Sequence, residues 1–259
     1  MIANAKKSYT APALEKGLDI LELLATEPEG LTLSDIASRL SRSVSEIFRM
    51  LAVLEQREYI FSPQRSDNYH LTLKLFEISH QLTPLKQLTS AALPVLKSVT
   101  REVEQSCHVA VYYQGKVMIV AQEDSPADKG FSVRLGAEVD LFDSCSGRVL
   151  LAFASAEQRQ TMLDEKKRYR GAKSTPRKLN KQLQDIRDKG YDSLASSHVN
   201  GVTDIGYPIF SYTGEIMAAL TMPFLEHIDG SHSVNFKQTS TILGEAAFSI
   251  SRAMGYSGT

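Results

Sequence analysis

Several things are scarce in this chain of 259 residues, and each scarcity excludes something. There are two cysteines, Cys107 and Cys145, far apart and outside any C-x-x-C pair, so a disulfide framework is not expected. No uncharged apolar stretch approaches the roughly 18 residues a membrane helix needs. Two lysines stand near the start, but Glu15, Lys16, Asp19 and Glu22 interrupt the apolar residues after them, so no signal-peptide core forms. Charge of one sign is lacking too: 29 basic side chains face 30 acidic ones, a net charge of -1. A protein coated in positive charge is thereby excluded, and any nucleic-acid site must be a local patch. The six histidines, at 70, 80, 108, 198, 227 and 232, lack the H-x-x-x-H or His/Cys spacing of a zinc site. No metal and no cofactor is expected. The remaining mix, 42% hydrophobic and 23% charged, is that of a soluble globular chain. Its length suits two domains, and a cytoplasmic protein is expected.

Residues 11–60 read as three short helices. The first, from 12 to about 26, places Leu14, Leu18, Leu21 and Leu24 or Ala25 on one face. After the break at Pro28-Glu29-Gly30, Thr32-Leu33-Ser34-Asp35 has the form of a capping box, and Ser43-Val44-Ser45-Glu46 repeats it. The second helix buries Leu33, Ile36, Ala37 and Leu40. The third turns Val44, Ile47, Leu51 and Leu54 inward, with Phe48 at the margin. Two capped helices joined through Ser41 and Arg42 must cross steeply, as in a helix-turn-helix. Tyr59-Ile60-Phe61 and Tyr69-His70-Leu71 flank a polar turn and make a β-hairpin, so the unit is a winged helix-turn-helix.

From 74 to about 105 the chain is mostly helical, with Pro84 and Pro94 each expected to start a fresh segment. The stripe Leu75, Ile78, Leu82, Leu85, Leu88, Leu93, Leu96 and Val99 suits dimerisation, or packing on its own domain. Residues 107–259 are mixed. Strands at 108–113 and 117–121 flank Gln114-Gly115-Lys116, and a further strand is expected at 131–135. Helices come next at 149–154, 156–170 and 176–189, then a second hairpin at 206–222 and a closing helix at 233–254. Hairpins with helices grouped apart indicate an α+β sensor domain.

On the third helix Ser45, Glu46 and Arg49 point away from the core. In a helix-turn-helix that face enters the major groove, where Arg bonds guanine and Glu accepts from cytosine. Across 39–65 five arginines stand against Glu46, Glu55 and Glu58, a local excess of two. Ser34, Arg42 and Ser43 lie on the same side, and Arg65 falls at the tip of the wing, where a phosphate contact is expected. In the second domain Ser144, Cys145 and Ser146 sit just before a helix, where amide N–H groups can hold an anion. With His198 and Asp204 in the chain, a metabolic enzyme with a fused regulatory helix-turn-helix is conceivable. However, Asp143-Ser-Cys-Ser-Gly lacks the G-x-S-x-G elbow, so binding of a small anion or polar metabolite is the expectation.

The order of parts resembles the IclR family of bacterial transcription regulators. The match is carried by Ala13-Leu-Glu-Lys-Gly-Leu-Asp-Ile-Leu-Glu-Leu-Leu, Gly30-Leu-Thr-Leu-Ser-Asp-Ile-Ala and Phe48-Arg-Met-Leu-Ala-Val-Leu-Glu. Further on, Leu135-Gly-Ala-Glu-Val, Ser146-Gly-Arg-Val-Leu-Leu-Ala, Ile186-Arg-Asp-Lys-Gly-Tyr and Tyr207-Pro-Ile-Phe continue it. The resemblance implies a winged helix over 10–72, a linker helix over 73–90, and a profilin-like or GAF-like effector-binding and oligomerisation domain over 91–256. It implies a homodimer or dimer of dimers on a palindromic double-stranded DNA operator, and repression of a catabolic operon. The effector would be an organic acid or sugar derivative. By motif, Ser45, Glu46 and Arg49 match the recognition positions, Ser144, Cys145 and Ser146 the effector loop, and Thr221 and Pro223 the last pocket strand. The family usually has an acid where Leu194 stands, Glu where Ser197 stands, and Cys or a small residue where Asp204 stands. The resemblance therefore implies a ligand unlike glyoxylate or pyruvate, with Asp204 and Ser197 bonding hydroxyls or an amine.

Overall fold

The computed structural model describes residues 11–63, 66–80, 83–128, 130–170, 175–196, 199–226 and 234–258. The chain divides into two units, Met1–Leu82 and Thr83–Thr259.

In the first unit α1 (Pro12–Leu24) opens on a proline, whose missing N–H is lost without penalty in a first turn. Ile20 and Leu24 are buried, whereas Leu14 and Leu18, expected inside, are 63% and 48% exposed. A leucine-rich helix offers two overlapping stripes, and the elements that pack on α1 select the one through Ile20. The strand β1 (Leu31–Thr32) runs directly into α2 (Leu33–Arg39). The Asp35 N–H donates to Thr32 Oγ1 at 3.2 Å, the expected cap. The helix then stops without glycine. Ser41 takes φ 53°, and Arg42 and Ser41 donate their N–H groups to the carbonyls of Ala37 and Ser38, which is a Schellman closure. This turn leads directly into α3 (Val44–Gln56).

After α3, β2 (Ile60–Phe61) and β3 (Asn68–Leu71) form the wing, with Ile60 opposite Leu71, and β1 pairs with the other edge of β3. The core is Ile20, Leu24, Leu31, Ile36, Ala37, Ile47, Leu51 and Ile60. Val44, expected inside, is 49% exposed: it sits in the first turn, ahead of the segment that reaches this core. The unit ends with α4 (Lys74–His80), on which Leu75 and Ile78 are exposed.

The second unit opens with α5 (Thr83–Val103). Pro94 lies inside it instead of starting a new segment. An interior proline costs about 3 kcal/mol, but Leu88, Ala92, Leu96, Val99 and Val103 are all buried along one continuous stripe, and their burial outweighs it. Leu88, Leu96 and Val99 of the stripe expected to suit dimerisation or packing are thus used on the domain's own sheet and on α9 (Phe236–Ala253), whereas Leu93 is exposed.

The strands are β4 (Cys107–Tyr113), β5 (Lys116–Glu123), β6 (Glu138–Val139), β7 (Asp192–Ala195), β8 (Val202–Phe210) and β9 (Ile216–Leu225). They make one antiparallel sheet in the order β6-β5-β4-β9-β8-β7. The strand expected at 131–135 does not form. Residues 136–139 occupy the edge of β5 instead, with the Gly136 N–H donating to the Ile119 carbonyl at 2.9 Å, and an unpaired segment has no ladder to join. The other face carries α6 (Cys145–Phe153), α7 (Ala156–Arg170) and α8 (Leu179–Lys189) over a second core that includes Ala110, Ile119, Val149, Leu150 and Leu183.

Candidate functional site

The recognition surface starts from the cap of α3. Ser43 precedes the helix, and its N–H donates to Glu46 Oε2 at 3.2 Å while its hydroxyl donates to the same oxygen at 2.8 Å. The other oxygen, Oε1, accepts from Lys16 Nζ of α1 at 2.6 Å. Lys16, then Ser43, hold the carboxyl at about 2 against an ordinary 4.5. Glu46 is therefore engaged with the start of its own helix and with α1, a use that was not legible in the sequence because Lys16 is thirty residues away. Ser45 and Arg49, one turn apart, are exposed, and Arg49 Nε donates to the Ser45 carbonyl at 3.3 Å. Arg42 and Ser34 are exposed as well. Ser34 lines a cavity of about 440 Å³ with Thr32, Leu33, Ser62, Asp67 and Tyr69, between α2 and the wing. Arg65 lies outside the described residues.

The second site is set by sheet register. Paired residues in an antiparallel ladder share a face. One row runs Leu194, Asp204, Pro223, and the next runs Asp192, Gly206, Thr221, His108, Gln122. The start of α6 lies on this second row. Ser144 caps the helix: its Oγ accepts from the Gly147 N–H at 3.0 Å and donates to the Asp140 carbonyl. Cys145 and Ser146 are in the first turn, not in a loop before it, and both are buried. Ser146 Oγ is 2.8 Å from Thr221 Oγ1 and 3.5 Å from His108 Nε2. The structure thus brings Cys145, Ser146, Thr221, Asp204, Pro223 and Leu194 to one face of the sheet, while Ser197 lies outside the described residues.

Two glycines permit this approach. A Cβ at Gly206 would stand 2.7 Å from Cys145 Sγ, and one at Gly147 would stand 2.4 Å from the Leu141 carbonyl oxygen. The Asp140 carboxylate, bonded by Lys166 Nζ at 2.7 Å and by the Phe142 and Asp143 N–H groups, ties down the chain leading into α6.

The electrostatics depend on two carboxylates. Asp192 is buried, with Oδ2 3.1 Å from Arg148 Nε, so that guanidinium is already matched. For Asp204, burial, then the charge of Asp192, raise the carboxyl to about 6 from 3.8, with no cation among the described residues to offset them. Burial lowers His108 to about 4, so it is neutral near pH 7, and its Nδ1 has no hydrogen-bond partner among the described residues. His108, Asp192 and Arg148 were not singled out as site residues from sequence. For His108 and Asp192 the signal was strand alternation, readable only once the register is known, and Arg148, on α6, is placed by its ion pair with Asp192.

A winged helix followed by an antiparallel domain with a polar, partly buried face is the architecture of a one-chain, ligand-responsive DNA-binding regulator. Residues 13–61 match the IclR helix-turn-helix domain, and residues 80–252 match the bacterial transcriptional regulator IclR C-terminal domain. The chain belongs to the IclR family of transcription regulators and is not an enzyme. It is 24% identical to the HTH-type transcriptional regulator KdgR of Escherichia coli, covering 98% of each chain. It is likewise 24% identical to the HTH-type transcriptional repressor AllR of Klebsiella pneumoniae, over 95% of this chain and 90% of that one. An IclR homolog from Microbacterium hydrocarbonoxydans, solved with 4-hydroxybenzoate, shares the fold with a TM-score of 0.74 at 22% identity, covering 93% and 98% of the two chains. Among the described residues no helix is long and apolar enough to cross a membrane, and no group of three or more His, Cys, Asp or Glu side chains could hold a metal.

Proposed function

We propose that the protein is a repressor of a catabolic operon, released from or driven onto its operator by a small organic acid or sugar derivative bound on the α6 face of the sheet. The observation that carries this reading is the convergence of Ser146, Thr221, neutral His108 and Asp204 on that face. Arg148 is matched by Asp192, so the groups offered to a ligand are hydroxyls, an imidazole and a carboxyl. Such a set favours a ligand with hydroxyl groups facing Asp204, with Ser197 adding to it from the adjoining segment. Arg49 and Ser45 read bases from α3, Arg42, Ser43 and Ser34 contact phosphates at the helix starts, and Arg65 contacts them from the wing. The domain limits are then 10–72, 73–90 and 91–256. Repression is in keeping with the AllR relatives, and a polar effector with the hydroxybenzoate bound by the solved homolog.

The active form is a homodimer or dimer of dimers on a palindromic operator. Leu14, Leu18, Leu73, Leu75 and Ile78, all exposed on the first unit, are apolar surface that an oligomer would cover. The test is a titration of the full-length protein against genomic fragments at two salt concentrations, with and without a panel of sugar acids, polyols and aromatic acids. Saturable, sequence-dependent binding that one of these compounds changes is expected, weakening with salt as counterions are released. Arg49→Ala should relax specificity at one base pair at a cost of roughly 1–3 kcal/mol. Binding indifferent to sequence under every condition would refute the reading.

A further inference from the structure

The face that α3 offers to DNA is more apolar than a groove-reading helix needs to be. Glu46, its acidic member, is held by Lys16 and Ser43. Of the remaining side chains on the first two turns, Ser45 and Arg49 form one exposed row. Val44 and Phe48, also one turn apart, form the row beside it, with Val44 49% and Phe48 56% exposed. Neither belongs to the core of the unit, whose α3 members are Ile47 and Leu51 with Met50 and Leu54 at its edge. A phenylalanine more than half exposed, adjacent to the arginine of a recognition helix, continues an interface that is otherwise polar. The major groove has one apolar feature, the 5-methyl group of thymine, and contact with an apolar side chain is how it is read.

We propose that Val44 and Phe48 form an apolar reader of thymine methyl groups, so that each operator half-site carries thymines next to the base pair read by Arg49. The proposal rests on the DNA-reading role of α3 proposed above and specifies its sequence. Four residues of helix advance about 6 Å, and successive base pairs are about 3.4 Å apart. The thymines read by the two side chains therefore lie within about two base-pair steps of each other. Ala52, one turn beyond Phe48 and exposed, extends the same apolar row.

The experiment is chemical on the DNA side. Duplexes are selected from a random-sequence library by the full-length protein, with and without the metabolite panel. The enriched site is then resynthesised with deoxyuridine in place of one thymidine at a time, which removes a methyl group and nothing else. At one or two thymines per half-site, uracil should weaken binding about fourfold, the factor for withdrawing one methyl-sized group from water. Phe48→Ala should bind both duplexes alike at the position that Phe48 reads, and Phe48→Leu should restore part of the discrimination. Phe48 is exposed and outside the core, so neither substitution threatens the fold. A site at which uracil is tolerated everywhere, or a Phe48→Ala protein that still distinguishes the two bases at every position, would overturn the apolar reader while leaving DNA reading intact. Failure to enrich any sequence would overturn both.

Discussion

Replacing Asp204 by asparagine should stabilise the protein above pH 6 and make little difference below pH 4. The carboxyl lies at about 6 in the folded protein because it is buried and feels the charge of Asp192 in the neighbouring row of the same face, against 3.8 ordinarily. A raised carboxyl binds its proton more tightly folded than unfolded. Its contribution is therefore fully present below pH 4, falls between pH 4 and 6, and stays lost at higher pH. At 1.36 kcal/mol per pH unit, the displacement corresponds to at most about 3 kcal/mol. Asparagine keeps the shape and carries no charge, so it removes the dependence. Asp140, where Lys166 and backbone N–H groups outweigh burial, remains in both proteins and cancels in the difference, whereas Asp192, also raised by burial, is relieved of a neighbouring charge by the replacement, a change of the same sign. The chain has no tryptophan, so urea unfolding is best followed by far-UV circular dichroism at pH 4, 5, 6 and 8. The gap between Asp204→Asn and the natural protein should open between pH 4 and 6 and then level off. An equal gap at every pH would show that Asp204 is not desolvated in the fold. The same replacement should weaken a polyol effector at pH 8, since an ionised carboxyl is a stronger hydroxyl acceptor than an amide oxygen.

Two further expectations rest on individual contacts. Glu46→Gln should lower DNA affinity a few-fold on every sequence alike and leave the preferred sequence unchanged, because its carboxylate anchors the start of α3 to Lys16 and Ser43. A changed base preference in the binding-site selection would instead make Glu46 a base reader. Gly206→Ala would push a Cβ to 2.7 Å from Cys145 Sγ and 3.1 Å from Val149 Cγ2. It should cost about 1–3 kcal/mol of overpacking. Combined with Cys145→Ala, which withdraws the nearer atom, the loss should be smaller than the sum of the two single changes, as measured by a double-mutant cycle of urea midpoints. Strict additivity would contradict the close approach of α6 to the sheet.

Features that depend on neighbours along the chain were legible in the sequence. The caps Thr32 and Ser43, the turn at Gln114-Gly115 and the buried pairs Ile36–Ala37 and Ile47–Leu51 are local matters of hydrogen bonding and helical period, and they stand in the structure as read. The continuity of α5 through Pro94 was not legible, because an interior proline is tolerated only when a buried stripe on both sides outweighs it. Nor was the stripe chosen on α1, where Leu14 and Leu18 are as apolar as Ile20 and Leu24 and only the packed elements distinguish them. The candidate effector face was legible as single residues, Ser146, Thr221 and Asp204, from three distant segments. Their company was decided by register. Each partner across a ladder comes from a strand whose offset no local pattern specifies, and a shift of one residue would have turned Asp204 to the opposite face of the sheet. The same tertiary geometry paired Glu46 with Lys16 of α1, and left Val44 and Phe48 facing outward beside Arg49.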